Sequence, residues 1–350
     1  MDVYERRGLD WAARRRPVRQ AQARRFAKRI AEGAMRIDLG CGAGRYTGDL
    51  GSPVVGLDAA AAMLQRCGEE VPAALLVRGD LEALPFGRGC FGGAWANMSY
   101  VHVPSLRLPL ALADLHRILE VGAPIDVQVL HGDYEGDACP DDDVGGRFFS
   151  SWHPDALLDV FVGAGFDVHA CQVEEEVVRI RGERLRTLSD TVGPHMALLV
   201  VGLNPSIYAA DAGVGFARPG NRFWPAALRA GIVTRDRDAV HALGHHGVGM
   251  TDIVKRATTG AGDLGREEYV LGMHRIERLV RWLEPGVVCF VGLAGYRAAV
   301  DRGATPGPQP GSIGDRPVYV MPSTSGANAA TSLDVLVTHL ERAAAMVPLS

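Results

Sequence analysis

Residues 202–224 read Gly-Leu-Asn-Pro-Ser-Ile-Tyr-Ala-Ala-Asp-Ala-Gly-Val-Gly-Phe-Ala-Arg-Pro-Gly-Asn-Arg-Phe-Trp, and this stretch decides the reading of the second half of the chain. The apolar run Met196 to Val201 leads into it and predicts a buried strand that ends at Gly202. Asn204-Pro205 then opens a loop, so Asn204 is a carboxamide at the carboxyl end of a parallel strand, where α/β folds hold their ligands. Twelve residues on, Phe216 offers an aromatic face, and Pro219 to Trp224 lead into a helix. An amide that can hold a water beside an aromatic plane suits chemistry on a flat heterocycle taken out of a stack.

The stretch resembles the mismatch-specific uracil/thymine-DNA glycosylases, whose first motif, Gly-[Ile/Leu]-Asn-Pro with a Phe-Ala-x-Pro-x-Asn-Arg-Phe-Trp-like continuation, matches without a gap from Gly202 to Trp224. Val318 to Met321 reads as the last strand, and Met321 to Gly326 as the second motif loop after it. Gly249 to Val254 and Val287 to Gly292 fall where that family has further core segments. The resemblance spans about residues 195–345. It implies an α/β/α sandwich with a short parallel sheet, with Asn204 orienting the attacking water and Phe216 stacking on the flipped pyrimidine. Leu203, Ser206, Asn221, Ser325, Gly326, Ala327 and Asn328 would form the rest of the base pocket, and Arg218 and Arg222 are the phosphate candidates. Asp211, the only carboxylate in the loop, is either a catalytic assistant or a loop-forming residue.

Two departures from the family pattern matter. Ala327 stands where the family inserts a large side chain into the hole left by the flipped base, so dependence on weakened pairs such as G·U is expected. Met321 stands where the fast uracil-specific enzymes carry His, so turnover is expected to be slow. Lys255 is the only lysine after residue 190, which leaves no evident nucleophile for lyase chemistry. His245 and His246 are adjacent without a surrounding ligand set and read as surface or packing residues.

The first half carries a different signature. Met35 to Gly44 gives a short strand, Asp38, and then Gly40, Gly42 and Gly44 alternating, a spacing that permits a tight turn and close approach to the backbone. The dinucleotide pattern G-x-G-x-x-G fails at Arg45. Val54 to Leu57 ends in Asp58, and Gly79-Asp80-Leu81-Glu82-Ala83-Leu84-Pro85-Phe86 follows. This ordered series resembles the class I S-adenosylmethionine-dependent methyltransferases, over about residues 30–185. The resemblance implies a Rossmann-like sheet and S-adenosylmethionine as cofactor. Asp38, Gly40, Gly42, Gly44, Asp58, Asp80, Leu81 and Asn97 would surround it, with Asp58 on the ribose hydroxyls. Phe91 to His102 would be the fourth strand and substrate-facing loop, Leu108 to Leu119 a helix, Pro124 to Leu130 the fifth strand, and Trp152 to Gly165 the helix before a strand from Phe166. Tyr100 and His102 either line the substrate pocket or pack. The prolines that shape the loop of amino-methylating DNA enzymes are missing from Ala96 to Tyr100, and Cys139-Pro140 has the wrong order for a cytosine-C5 enzyme. The methyl acceptor stays open.

Length and composition fit this two-part reading: 350 residues suit two domains, bounded here as 1–190 and 191–350, with Thr187 to Pro194 as the junction. Six scattered cysteines without a CxxC pair argue against zinc or iron–sulfur sites and for a reduced, cytoplasmic setting, nucleoid-associated when on DNA. No apolar run spans a bilayer, and the Arg-rich start lacks the apolar core of a secretory signal. The formal charge is −4, but from residue 191 onward 15 Lys/Arg face 13 Asp/Glu, so the second half is the more basic. Arg14, Arg15, Arg16, Arg19, Arg24, Arg25, Lys28 and Arg29 crowd a predicted N-terminal helix, as a solvated face or a nucleic-acid contact. The acidic stretch Asp133 to Asp143 reads as a solvated loop.

The expected function is hydrolytic, monofunctional removal of uracil, or thymine, mispaired with guanine, by a half that needs neither cofactor nor metal. The methyltransferase half would act on an unknown acceptor. The alternative is a small-molecule or RNA methyltransferase whose second half only binds nucleic acid; a third possibility is a DNA-binding module with neither activity.

Overall fold

The computed structural model describes residues 2–14, 18–139, 142, 144–328 and 330–348. Two compact units divide the chain, the first made of Met1–Val162 and Phe166–Leu185, the second of Gly163–Gly165 and Arg186–Ser350. Among the described residues no helix is long and apolar enough to cross a membrane.

The first unit runs α1 (Asp2–Arg14), α2 (Gln20–Ala27), β1 (Arg36–Leu39), β2 (Val54–Asp58), α3 (Ala61–Glu70), β3 (Leu75–Arg78), β4 (Gly93–Asn97), α4 (Leu108–Ile118), β5 (Pro124–His131), β6 (Glu135–Gly136), β7 (Phe149–Trp152), α5 (Pro154–Ala164), β8 (Phe166–Glu174) and β9 (Val177–Arg184). Strands β3-β2-β1-β4-β5 lie parallel in that order. β9 then runs antiparallel along β5, and β8 pairs antiparallel with β9. β1 is buried throughout its length and β4 and β5 along most of theirs, as parallel strands covered on both faces must be. The order reverses direction between β1 and β4, which opens a crevice at the carboxyl ends of those two strands.

The single N-terminal helix expected from the arginine run is two helices, and Arg15 and Arg16 lie outside the described residues. Of the remaining basic side chains Arg24, Arg25, Lys28 and Arg29 are exposed; Arg24 bonds Asp49 at 2.9 Å and Arg19 lies 3.8 Å from Glu174. Helix α1 instead serves the sheet. Glu5 accepts from the backbone N–H groups of Ala61 and Ala62 at 2.9 and 3.1 Å, capping the amino end of α3. In the acidic loop Pro140, Asp141 and Asp143 lie outside the described residues, and Asp142 is buried against Arg147 rather than solvated.

The second unit runs β10 (Leu198–Gly202), α6 (Ile207–Ala212), α7 (Phe223–Arg229), α8 (Ala239–His246), β11 (Val248–Asp252), α9 (Arg266–Leu283), β12 (Val287–Val291), α10 (Leu293–Ala299), β13 (Gly307–Ile313), β14 (Arg316–Met321) and α11 (Leu333–Ala344). The sheet order is β11-β10-β12-β14-β13, parallel except for the edge strand β13. β10, β11 and β12 are buried at every position, which explains why their sequences read as unbroken apolar runs. Leu198, Val200, Phe223, Trp224, Tyr319 and Leu336 meet in the core on one side of the sheet. The direction of the order changes between β10 and β12, so a second crevice opens at the carboxyl ends of those two strands, where Asn204 begins its loop.

Candidate active sites

A cavity in the second unit is lined by Leu203, Asn204, Ser206, Phe216, Asn221 and Ser325, all expected from the sequence, and by Asp252, which was not. Asn204 is oriented by three acceptors. Its Nδ2 donates to Thr258 Oγ1 at 2.8 Å, to the Arg256 carbonyl at 3.0 Å and to the Pro205 carbonyl at 3.2 Å. With the NH2 group so held, Oδ1 is the atom left to accept from a water.

Phe216 takes a left-handed backbone conformation, φ 57°, which a bulky residue adopts only when its surroundings impose it. Two contacts do so. The Phe216 ring stacks on Phe223 with centroids 4.3 Å apart and planes at 25°, and the neighbouring Trp224 donates its indole N–H to the Gly215 carbonyl at 2.8 Å. One face of Phe216 is thereby covered and only the other can receive a planar ring.

Ser206 caps α6, its Oγ accepting from Ala209 N at 3.1 Å. The Leu203 carbonyl accepts from Val254 N at 3.0 Å, which ties the start of the motif loop to the segment after β11. Asn221 accepts from Phe223 N at 2.9 Å and holds the start of α7. In the second motif loop Ser325 alone reaches the cavity lining. Gly326 and Ala327 are exposed, and Asn328 braces the loop through Ser323 O and Thr331 Oγ1.

Two expectations from the sequence need correction. Asp211 does not line the cavity: its carboxylate is paired with Arg186 at 2.7 Å, and both side chains are half-exposed. An acid close in sequence to the motif lies on the outer face of α6, because a short helix turns it away. Arg222 is not a phosphate contact either. Its guanidinium donates to the carbonyls of Thr331, Ser325 and Asn328, so it holds the second motif loop. Replacing Arg222 with Ala leaves those carbonyls without their charged donor and is expected to cost about 2–3 kcal/mol, which a chemical-denaturation curve measures. Lys should not restore it, because an ammonium lacks the planar fork. Arg218 is exposed at the cavity lining and keeps the phosphate reading.

Asp252 is the one carboxylate among the described lining residues. It escaped the sequence reading because Gly249 to Val254 reads as core. The available signal was an acid closing an apolar strand that pairs with the motif strand.

In the first unit the glycine loop follows β1. Gly40 has φ 68°, and a Cβ there would fall 2.4 Å from Ser99 Cβ, so that glycine is a packing requirement. Gly42, with φ 53°, would point its Cβ into open space. Asp58 ends β2; it accepts from Gly42 N at 2.8 Å and Ala60 N at 2.9 Å, which fastens the loop to α3. Asp38 works from beneath. It is buried, accepts from Thr47 Oγ1 at 2.7 Å, and burial pushes its carboxyl up to about 7. That places it behind the loop and not at its surface, a correction to its expected contact with the cofactor. Gly44 packs on Cys67, Asp80 caps Glu82 N at 3.0 Å and Leu81 is half-buried. Asn97, at the end of β4, has a buried Oδ1 without a hydrogen-bond partner among the described residues. An open glycine and an unpartnered amide oxygen at the sheet's switch point fit a nucleoside-bearing cofactor. His102 is held at both nitrogens, by Tyr4 Oη at 2.9 Å and the Phe148 carbonyl at 2.7 Å, and burial lowers it to about 4.

The two crevices define an α/β domain with an open glycine loop at its switch point, followed by an α/β domain with a cavity that holds an aromatic ring and an oriented amide. Comparison with known proteins assigns both. Residues 37–125 match the model of the methyltransferase domain, and residues 190–344 match that of the uracil DNA glycosylase superfamily. The chain therefore carries a methyltransferase domain and, after it, a uracil DNA glycosylase superfamily domain.

Similar solved structures include a SAM-dependent methyltransferase from Methanosarcina mazei at 15% identity, covering 45% of this chain and 96% of that one with a TM-score of 0.41. An S-adenosylmethionine dependent methyltransferase from Mesorhizobium loti is 17% identical over 47% of this chain and 97% of its own, TM-score 0.40. A TehB-like SAM-dependent methyltransferase from Corynebacterium glutamicum is 19% identical over 52% and 97%, TM-score 0.41.

Proposed function

We propose that the second domain hydrolyses the N-glycosidic bond of uracil mispaired with guanine, and of thymine more slowly. The first domain, on the same reading, uses S-adenosylmethionine to methylate a separate acceptor. The observation that carries the first statement is the pairing of an amide-locked Asn204 with the half-covered ring of Phe216 in one cavity. A uracil placed on the open face of Phe216 would bring its glycosidic carbon toward a water held by Asn204 Oδ1. Uracil leaves as an anion when its oxygens are hydrogen-bonded, so positioning and electrostatics can supply most of the rate. Lys255 supports hydrolysis without a Schiff base, because its ammonium is buried and bonded to Asp190 at 2.7 Å. Ala209 in the cavity lining is small enough to leave room for the thymine methyl.

For the first domain, Gly42, Asp58 and Asn97 would hold the cofactor, which supplies an electrophilic methyl group. The chain's contribution is to hold both reactants in line.

The test is base release from a labelled duplex with one central G·U pair, beside A·U, G·T and single-stranded uracil controls. Release from G·U ahead of A·U is the expected result. A duplex that is bound but never loses uracil would leave the second domain as a nucleic-acid-binding module. Because Ala327 is too small to fill the hole left by a flipped base, Ala327→Leu is expected to raise release from A·U by about tenfold, roughly 1.4 kcal/mol of the unstacking cost. An unchanged A·U rate would refute the missing-wedge account.

A further inference from the structure

Asp252 ends β11 and pairs in register with Gly202, the residue that opens the first motif. Its carboxyl lies over that glycine. A Cβ built on Gly202 would stand 2.3 Å from Asp252 Oδ1 and 3.5 Å from Phe216 Cζ. Gly202 is thus needed so that the carboxyl and the stacking ring can share one corner of the cavity. Asp252 is buried, 8% exposed as a residue, and lines that cavity.

The cations beside it are committed elsewhere. Lys255 Nζ and Arg275 Nη1 each bond Asp190 at 2.7 Å, and Arg275 Nη2 bonds Thr251 Oγ1 and the Asp252 backbone carbonyl at 2.9 and 3.0 Å. None of these donors reaches the Asp252 carboxylate. A carboxyl kept in a crevice while its neighbours satisfy a different acid has no evident structural use.

We propose that Asp252 is the general base of the second domain's reaction, accepting a proton from the water that Asn204 orients. The inference rests on the uracil-releasing reading given above. In the step, the water oxygen bonds the sugar's anomeric carbon as the carbon–nitrogen bond breaks. The bonding pair leaves with the pyrimidine as its anion. One water proton passes to the Asp252 carboxylate, and solvent later protonates the base. Asn204 supplies the acceptor that aims the water, and Asp252 the acceptor that takes its proton.

Burial raises the Asp252 carboxyl to about 6, with the Asp190 carboxylate adding to the rise and Lys255 and Arg275 opposing it. Arg218 is the other charged group on the cavity. The carboxyl is therefore neutral in acid and ionised near neutrality, close to the working pH a general base requires.

The experiment is single-turnover uracil release from the G·U duplex between pH 5 and 9, for the wild type, Asp252→Asn, Asp252→Glu and Asn204→Ala. Wild-type rates should climb about tenfold per pH unit below pH 6 and level above it. Asp252→Asn should fall at least about 10²-fold on the plateau and lose the acid limb. Asp252→Glu should keep an acid limb at a reduced rate. Because none of the neighbouring cations bonds the carboxylate, Asp252→Asn should melt at or above the wild-type temperature and bind the duplex as tightly.

An Asp252→Asn protein within threefold of wild type overturns the assignment of the base, as does one that is slow but keeps the wild-type limb. A wild type that releases no uracil at any pH instead overturns the uracil reading itself, so the two failures are distinct.

Discussion

Replacing Asn204 with Ala is expected to lower uracil release from a G·U duplex by about 10²–10³-fold while leaving duplex affinity near that of the wild type. The reasoning starts from the amide's three bonds. Pro205 O, Arg256 O and Thr258 Oγ1 all accept from Nδ2, so Asn204 cannot rotate to present its NH2 to the cavity. The truncated side chain takes away only the acceptor facing the water, and Phe216 still stacks. Substrate binding and the chemical step should therefore separate, with the loss in the single-turnover rate and not in the half-saturating duplex concentration. Asn204→Asp is informative beside it. A carboxylate cannot donate to the two carbonyls that now orient the residue, so it should lose most of the rate although it retains an acceptor. Equal losses of affinity and rate in Asn204→Ala would mean that the residue shapes the cavity rather than aims a water.

The second large effect is expected at the glycine loop. Gly42→Ala should weaken S-adenosylmethionine binding by about 10²-fold or more without unfolding the first domain. Its φ of 53° costs an L-residue roughly 1–2 kcal/mol, and nothing in the protein lies within 4 Å of the added methyl. The space that the methyl enters is the space a cofactor would need. Gly122→Ala is the matched control: its φ is 82°, its Cβ side is also open, and it lies in the turn before β5. The two variants should lose similar stability, and only the first should lose calorimetric binding. Equal binding by both would remove Gly42 from the cofactor site.

Much of this was legible in the sequence because local geometry demands particular residues. Gly40 and Gly44 have left-handed backbones and touch Ser99 and Cys67, so their spacing announces the loop. The buried strands of both sheets read as apolar runs because both faces are covered. What could not be read depends on partners far along the chain. Arg222 looked like a phosphate contact until its guanidinium was seen spent on carbonyls about a hundred residues later. Asp211 looked catalytic by proximity, and its partner Arg186 precedes the motif strand. Asp252 was hidden for the opposite reason. Sequence separates it from Gly202 by fifty residues, and the parallel register places them side by side. The N-terminal arginine run reads as charge, whereas the sign of a break between α1 and α2 is Pro17, a residue that interrupts helices.

The backbone N–H of Arg222 donates to the Thr324 carbonyl at 2.9 Å, and its guanidinium grips the loop beyond. The stacking ring and the second motif loop are thus clamped into a single jaw. On the uracil-releasing reading proposed above, a jaw tied together in this way would gain little purchase on DNA by closing one part against the other, and a base would have to come most of the way unaided. Such a device would find damage by waiting for helices that already breathe, and the weakness of the pair itself would be the signal it reads.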